Sequence, residues 1–252
     1  MDETGDIMKQ HRMGVVMATY DNAGTIAGIV QRVQAITSRI IVVDDGCTDD
    51  TLQQLQRLPQ PPHIVSYKPN RGKGHALVEG FKRARELGWD YVITLDSDGQ
   101  HFPEDIPLLV EAAVQHPGAL IVGERGTEHD NMPRGNTFAN RFSNFWFTLQ
   151  TGIKLNDTQT GYRLYPIKRL RWLRLTTSRY EAELEMLVFA AWHGIKIVPV
   201  PVRVYYPPQG ERVTHFRPYA DFGRISLLNT ALCVGAVVYG WPMLLYRKIA
   251  KK

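Results

Sequence analysis

The chain has 252 residues, 44% hydrophobic and 22% charged, with a formal net charge of +5, which fits one sizeable core or two small ones. Its only cysteines, Cys47 and Cys233, lie far apart, which argues against a disulfide framework or a zinc site and fits a reducing cytoplasm. The N-terminal MDETGDIMKQHRMG is polar, so no secretory signal is expected there.

Strand-like and helix-like segments alternate through the first half. Met13–Ala18 is an apolar run, and Ile26, Ile29, Val30, Val33 and Ile36 then repeat at helical spacing. Arg39–Val43 reads as a second strand, followed by Leu52, Leu55 and Leu58 on one helical face. His63–Ser66 is a third strand, and Leu77, Gly80, Phe81, Ala84 and Leu87 mark a helix ending at Gly88. Tyr91–Leu95 is a fourth strand, Pro103–Val114 a helix with proline at its favoured start, and Ala119–Val122 a fifth strand. This alternation predicts a mostly parallel, doubly wound α/β sheet with helices on both faces.

The second half is less regular. Phe138, Phe142, Phe145, Trp146 and Leu149 form an aromatic stripe at helical spacing, expected to face the core, or alternatively an acceptor or lipid groove. Leu184, Leu187, Val188 and Ala191 predict another helix, and Lys196–Val204, interrupted by prolines, an edge strand.

Ligands in open α/β sheets bind beyond the carboxyl ends of the strands, where acidic residues stand in this chain. The second strand runs into Asp44-Asp45-Gly46, the fourth into Asp96-Ser97-Asp98-Gly99-Gln100-His101. Asp96 and Asp98 flank one residue, so a turn can bring both carboxylates to one Mg²⁺ or Mn²⁺, with Gln100 as a neutral oxygen ligand and His101 as a neighbour. A polar turn capping the next helix would explain the pair alone; the second acidic pair favours a site. In Asn70-Arg71-Gly72-Lys73-Gly74 the glycines let backbone amides approach a phosphate, and Arg71 and Lys73 add charge. Walker spacing is missing, and no G-x-G-x-x-G follows the first strand, which argues against a dinucleotide-dependent oxidoreductase.

Together these segments resemble the family 2 glycosyltransferases of GT-A fold, in particular their dolichyl- and polyprenyl-phosphate mannosyltransferase branch. Val42–Thr51 is similar to the family's V-D-D-G-S-x-D-x-T element, and Asn70–Gly74 to its N-x-G-K-G turn. Leu95–His101 is similar to its metal motif, Gly123-Glu124-Arg125 to G-S-R, Asp157–Arg163 to D-x-x-[ST]-G-[FY]-R, and Tyr180–Glu185 to its acidic helix start. The resemblance implies an inverting displacement of a nucleoside diphosphate by a lipid or lipid-phosphate acceptor, dependent on Mg²⁺ or Mn²⁺, with no nucleic-acid partner. It implies donor contacts at Thr19, Tyr20, Asp44, Asp45, Lys73 and Asp96, and metal ligation by Asp96, Asp98 and Gln100. Arg125 steadies the leaving diphosphate; if the acceptor is a hydroxyl, Asp157 or Glu183 serves as base. Acceptor contacts fall on Arg163, Arg212 and Thr214. Asn22 stands where the family carries glutamate. A nucleotidyltransferase, which would want a glycine-rich basic loop after the first strand, and an inactive membrane adaptor are the competing classes.

Charge is uneven. Residues 1–200 carry 22 Lys+Arg against 23 Asp+Glu, whereas residues 201–252 carry 8 basic residues against Glu211 and Asp221. The 22 residues between Arg224 and Arg247 are uncharged, with Tyr239, Trp241 and Tyr246 near a basic end of Arg247, Lys248, Lys251 and Lys252. As a helix they would extend about 33 Å, enough to cross a bilayer core. A cytoplasmic catalytic unit and a basic flank that also prefers the cytoplasm favour an in-plane or re-entrant anchor over a span. Gly235, Gly240 and Pro242 predict an interrupted helix. The expected organisation is a catalytic domain over residues 1–222 and a membrane-associating segment over 223–252, at the cytoplasmic face of the cell membrane.

Overall fold

The computed structural model describes residues 3–126, 134–171, 174–206 and 218–250, and the side chains of all of these except 134–139 and 218–222. A helix not expected from the sequence, α1 (Glu3–Gln10), opens the chain and buries Met8. Then come β1 (Met13–Thr19), α2 (Ile26–Gln34), β2 (Ile40–Asp44), α3 (Thr51–Gln56), β3 (His63–Ser66), α4 (Lys73–Glu86) and β4 (Tyr91–Thr94). A 3-10 turn at Pro103–Asp105 leads into α5 (Ile106–Gln115), β5 (Leu120–Arg125) and α6 (Arg134–Thr151). The remaining elements are β6 (Arg163–Tyr165), α7 (Glu181–Trp192), β7 (Ile197–Val202), α8 (Pro218–Gly235), a π-helical turn at Ala236–Gly240, and α9 (Trp241–Ile249).

The seven strands form one sheet in the order β3-β2-β1-β4-β6-β5-β7. All pairings are parallel except those of β6, which runs antiparallel between β4 and β5. This is the doubly wound α/β architecture that the alternation predicts, with the proline-bearing β7 at the edge as expected. Period-two alternation sorts the strands onto two cores. Val16, Ile41 and Val43 meet Leu77 and Phe81 of α4 and Leu187 of α7. Val15, Met17, Ile40 and Val42 meet Ile29, Val30 and Val33 of α2 and Leu109 of α5. The strand order reverses between β1 and β4, so the ends of β1, β2 and β4 open on one crevice.

The aromatic stripe departs from its expected place. Among its described side chains, Phe145 (62%) and Leu149 (46%) are exposed, and Phe142 and Trp146 are half-buried. The buried face of α6 is instead Ser143, Phe147, Gln150 and Thr151. Helical periodicity identifies a face without saying which side the rest of the chain covers.

The C-terminal helix begins at Pro218 and ends at Ile249. Its α-helical hydrogen bonding is interrupted at the glycines, as expected, by the π turn at Ala236–Gly240, through which the chain nevertheless stays helical. The reason is Trp192, which lies against that turn: a Cβ on Gly240 would come within 2.5 Å of its indole ring. Trp192 Nε1 donates to the Gln150 carbonyl (2.9 Å), and Leu228, Leu232 and Ala236 complete the core beneath α7. The opposite face is apolar and open, with Leu227, Val234, Val238, Trp241, Leu245 and Ile249 all exposed.

Candidate functional site

A cavity of about 860 Å³ lies at the ends of β1, β2 and β4. Its wall includes Thr19, Tyr20, Asn22, Asp45, Lys73, Asp96, Asp98 and Gln100, together with Arg179 and Tyr180 from the segment before α7.

At the end of β2 the two aspartates are largely committed to the chain itself. Asp44 is buried away from the cavity; its oxygens accept from the Cys47 amide (2.7 Å) and the Ser66 hydroxyl (2.7 Å). The expectation that Asp44 touches a donor is therefore corrected: it shapes the turn. Asp45 faces the cavity but accepts from the amides of Arg71 and Gly72, both at 2.8 Å. Those amides are consequently not a free phosphate cradle. Gly72, at φ +97°, lets the loop turn so that Lys73 enters the site.

Lys73 lies between two carboxylates, 2.6 Å from Asp96 Oδ1 and 2.9 Å from Glu183 Oε2. Burial disfavours its charge, but Asp96 and Glu183 outweigh this and hold the ammonium above its ordinary value. Burial likewise works against the Asp96 charge, which the Lys73 ammonium more than offsets, leaving that carboxyl below its usual range. For Asp98 the compensation falls short: burial first, then the neighbouring Asp96, outweighs the Gln100 amide and the Lys73 ammonium and pushes it up to about 6. Its Oδ1 accepts from the Gln100 amide at 3.0 Å. Gly161 is required here, because a Cβ would lie 2.6 Å from Asp96 Oδ2 and 2.7 Å from Lys73 Nζ.

The turn carrying these aspartates is tied to β1. Asn22 Nδ2 donates to the Ser97 hydroxyl (3.0 Å), and Thr25 Oγ1 donates to the Ser97 carbonyl (2.6 Å). Thr19 is buried at the end of β1 and receives a long hydrogen bond from Asn22 (3.4 Å). His101 is buried behind Asp96, Nδ1 4.0 Å from Asp96 Oδ2, and neither ring nitrogen has a hydrogen-bond partner among the described residues. Burial lowers its imidazole to about 4, so it is neutral near pH 7.

Two sequence expectations are overturned by burial. Asp157 is fully buried and grips the Arg125 guanidinium through Nε and through Nη2 (2.9 Å), while also accepting from the amides of Arg125, Gln159 and Thr160. A carboxylate with five donors is a clamp for Arg125, not a general base. Arg163 is fully buried within β6 and donates to the Glu183 carbonyl (2.7 Å), the Thr158 carbonyl (2.8 Å) and the Tyr165 hydroxyl (3.2 Å). With no exposed surface to offer an acceptor, it instead joins β6 to α7. Glu183 is itself buried and paired with Lys73, and Glu185 is more deeply buried still, so neither lies on a solvated helix face. Arg212 and Thr214 lie outside the described residues.

The site residues that sequence reasoning passed over are Asn22 and Arg179. Asn22 stands out only as a departure from a motif. Arg179 immediately precedes the recognised Tyr180–Glu185 element.

A hard divalent cation suits the donor set. Asp96, Asp98 and Gln100 offer oxygen atoms to one cavity, and the strained charge of Asp98 is what a cation would relieve.

The family model described as "Glycosyl transferase family 2" matches residues 14–171. Among curated relatives, UDP-N-acetylglucosamine–dolichyl-phosphate N-acetylglucosaminyltransferase of Methanococcus voltae is 29% identical over 76% of this chain and 85% of its own. Undecaprenyl-phosphate mannosyltransferase of Micrococcus luteus is 28% identical over 79% and 86% respectively. Among solved structures, glucosyl-3-phosphoglycerate synthase from Mycobacterium tuberculosis, in complex with Mn²⁺, UDP-glucose and phosphoglyceric acid, superimposes with a TM-score of 0.66 at 19% identity. That alignment covers 93% of this chain and 82% of the other, and it speaks for the fold.

Proposed function

This chain belongs to glycosyl transferase family 2, and from that premise we propose that it transfers a sugar from a nucleotide-sugar donor to a prenyl-phosphate acceptor at a membrane surface. The observation that carries the acceptor class is the state of the two carboxylates expected to act as base. Asp157 is saturated by donors and Glu183 is ion-paired to Lys73. A hydroxyl acceptor requires a base within reach, whereas a phosphate monoester is already ionised. The curated relatives named above carry lipid-phosphate acceptors in their names, which supports the same choice. In this reading the acceptor phosphate oxygen bonds to the anomeric carbon as the nucleoside diphosphate leaves, with inversion.

Asp96, Asp98 and Gln100 would hold the divalent cation, which supplies Lewis-acid stabilisation of the departing diphosphate. Lys73 orients Asp96, and Asp157 holds Arg125 in a single planar setting near it. The test is transfer by the purified full chain in detergent, with polyprenyl phosphate, Mg²⁺ or Mn²⁺ and a panel of GDP- and UDP-sugars. A prenyl-phosphosugar should form with at least one donor and vanish for Asp98→Ala. Turnover only with a hydroxyl acceptor would overturn the acceptor class.

The membrane association rests on α8–α9. Residues Gly223–Ile249 are long and apolar enough to cross a bilayer by length and composition. Yet Leu228, Leu232 and Ala236 of this helix are part of the protein core, and a helix docked on its own domain through that stretch suits an in-plane position. Arg247 folds back to donate to the His193 carbonyl, leaving Lys248 exposed at the described end. Removing the helix would uncover the core, so the cleaner perturbation is on the outer face. Val234→Glu, Val238→Glu and Leu245→Glu together should release the chain from anionic vesicles without lowering its melting temperature. Undiminished vesicle co-sedimentation would refute the anchor.

A further inference from the structure

A nucleotide sugar and a lipid phosphate both bring phosphoryl oxyanions into the cavity, yet most of the cations around it are already engaged. Lys73 is held by Asp96 and Glu183, Arg125 by Asp157, and the Arg71 guanidinium lies over the Tyr67 ring at 5.7 Å. Lys68 also reaches the wall but stands exposed to water; Arg179 is different. It lines the cavity, is half-buried, and its guanidinium has no hydrogen-bond or ion-pair partner among the described residues.

The segment that carries Arg179 is built to hold it there. Glu185, 1% exposed, accepts four hydrogen bonds: from the amide and hydroxyl of Thr176 (2.8 and 2.7 Å) and those of Thr177 (3.0 and 2.6 Å). The Ser178 carbonyl accepts from the His75 amide in the first turn of α4 (3.0 Å). The segment lies directly on the loop that delivers Lys73: a Cβ on Gly72 would meet Arg179 Cγ at 2.7 Å, and one on Gly74 would meet Ala182 Cβ at 2.3 Å. A buried carboxylate that ties down two threonine residues explains why this stretch is ordered. It does not explain a half-buried guanidinium at its end that no acceptor among the described residues compensates.

We propose that Arg179 is a phosphate-binding residue of this site, its planar fork receiving a phosphoryl oxyanion of a substrate. The assignment rests on the glycosyl-transfer reading above. Two sources share the chemistry, the diphosphate of the donor and the phosphate of the lipid acceptor, and different measurements separate them.

The experiment uses the full chain in detergent with Mn²⁺ and compares wild type with Arg179→Gln, Arg179→Lys and Arg174→Gln. UDP and GDP binding is measured by calorimetry, with uridine and guanosine as phosphate-free probes, and the KM for polyprenyl phosphate by transfer. If Arg179 holds the donor, Arg179→Gln weakens diphosphate binding about 10- to 100-fold, as expected for lost charge-assisted hydrogen bonds, and leaves nucleoside binding unchanged. If it holds the acceptor, the KM for polyprenyl phosphate rises by a similar factor while diphosphate binding stays constant. Arg179→Lys, which keeps the charge without the fork, recovers part of either loss. Arg174→Gln removes an exposed cation from the same stretch and moves neither. A folded Arg179→Gln with both quantities within twofold of wild type overturns the assignment and leaves the glycosyl-transfer reading standing. A wild-type chain that binds neither diphosphate nor prenyl phosphate ends both.

Discussion

Asp98→Asn should make the metal-free protein more stable while removing its response to a cation. The Asp98 carboxyl rises from an ordinary 3.8 to about 6 through burial and through Asp96 beside it. The sign follows from linkage: an acid with a raised pKa holds its proton more tightly in the folded chain than in the unfolded one. Ionising it therefore costs the folded state, a cost absent below pH ~4, growing to about pH 6 and constant above that. Each pH unit of displacement is worth about 1.4 kcal/mol, so the ceiling is about 3 kcal/mol, and partial contact with solvent reduces it to about 1–2 kcal/mol. Asparagine keeps the shape and the oxygen that accepts from the Gln100 amide. For a chain of this size the gain corresponds to a rise of about 2–8 °C in Tm. The assay is thermal unfolding of full-length protein in detergent, in EDTA and in Mn²⁺, from pH 4 to 8. In EDTA at pH 8 the variant should melt above wild type, with the gap closing toward pH 4. In Mn²⁺ the order should reverse, because only wild type gains from binding. A variant that melts at or below wild type in EDTA at pH 8 would show that Asp98 carries no charge strain.

Two further substitutions probe the surroundings of that carboxylate. Gly161→Ala would bring a Cβ within 2.7 Å of both Asp96 oxygens and Lys73 Nζ. Displacing that pair should reduce transfer by about 10²-fold with the circular dichroism spectrum intact; wild-type turnover would mean the Lys73–Asp96 contact is dispensable. Arg163→Met should leave the Glu183 and Thr158 carbonyls without their buried donor and lose about 3 kcal/mol in urea unfolding. A raised acceptor KM at unchanged stability would return Arg163 to the acceptor role that its burial argues against.

Much of this protein is legible without coordinates because its parallel strands are buried on both faces. Such strands read as short, nearly unbroken apolar runs, as Met13–Thr19 and Ile40–Asp44 do. Their ends are marked by the change to Asp44-Asp45 and Asp96-Ser97-Asp98, and a doubly wound topology collects those ends in one crevice. The edge position of β7 is equally legible, since Pro199 and Pro201 cannot donate to a ladder. The three-residue β6 is not. It is too short to show a period, and its place between β4 and β5 depends on partners about 40 to 70 residues away.

The chemistry divides in the same way. Residue types and local spacing identify Asp96, Asp98 and Lys73 as belonging to one site, because strand ends and a glycine turn are local features. Which charges are free is decided only by tertiary partners. Asp157 meets Arg125 across 32 residues, Asp45 meets the Arg71 and Gly72 amides across 26 and 27, and Lys73 meets Glu183 across more than a hundred. Each of these contacts changes a residue from reactant to support without altering the sequence signal. Arg179 is the converse case, unremarked beside a motif until the fold leaves its guanidinium on the cavity wall without a partner among the described residues. The C-terminal helix shows the same limit in its apolar residues. Composition determined that a stretch long and apolar enough for a membrane was present, but the docking of Trp192 against Gly240 decided which face remained outside, because burial on one side is a property of the neighbours a helix finds.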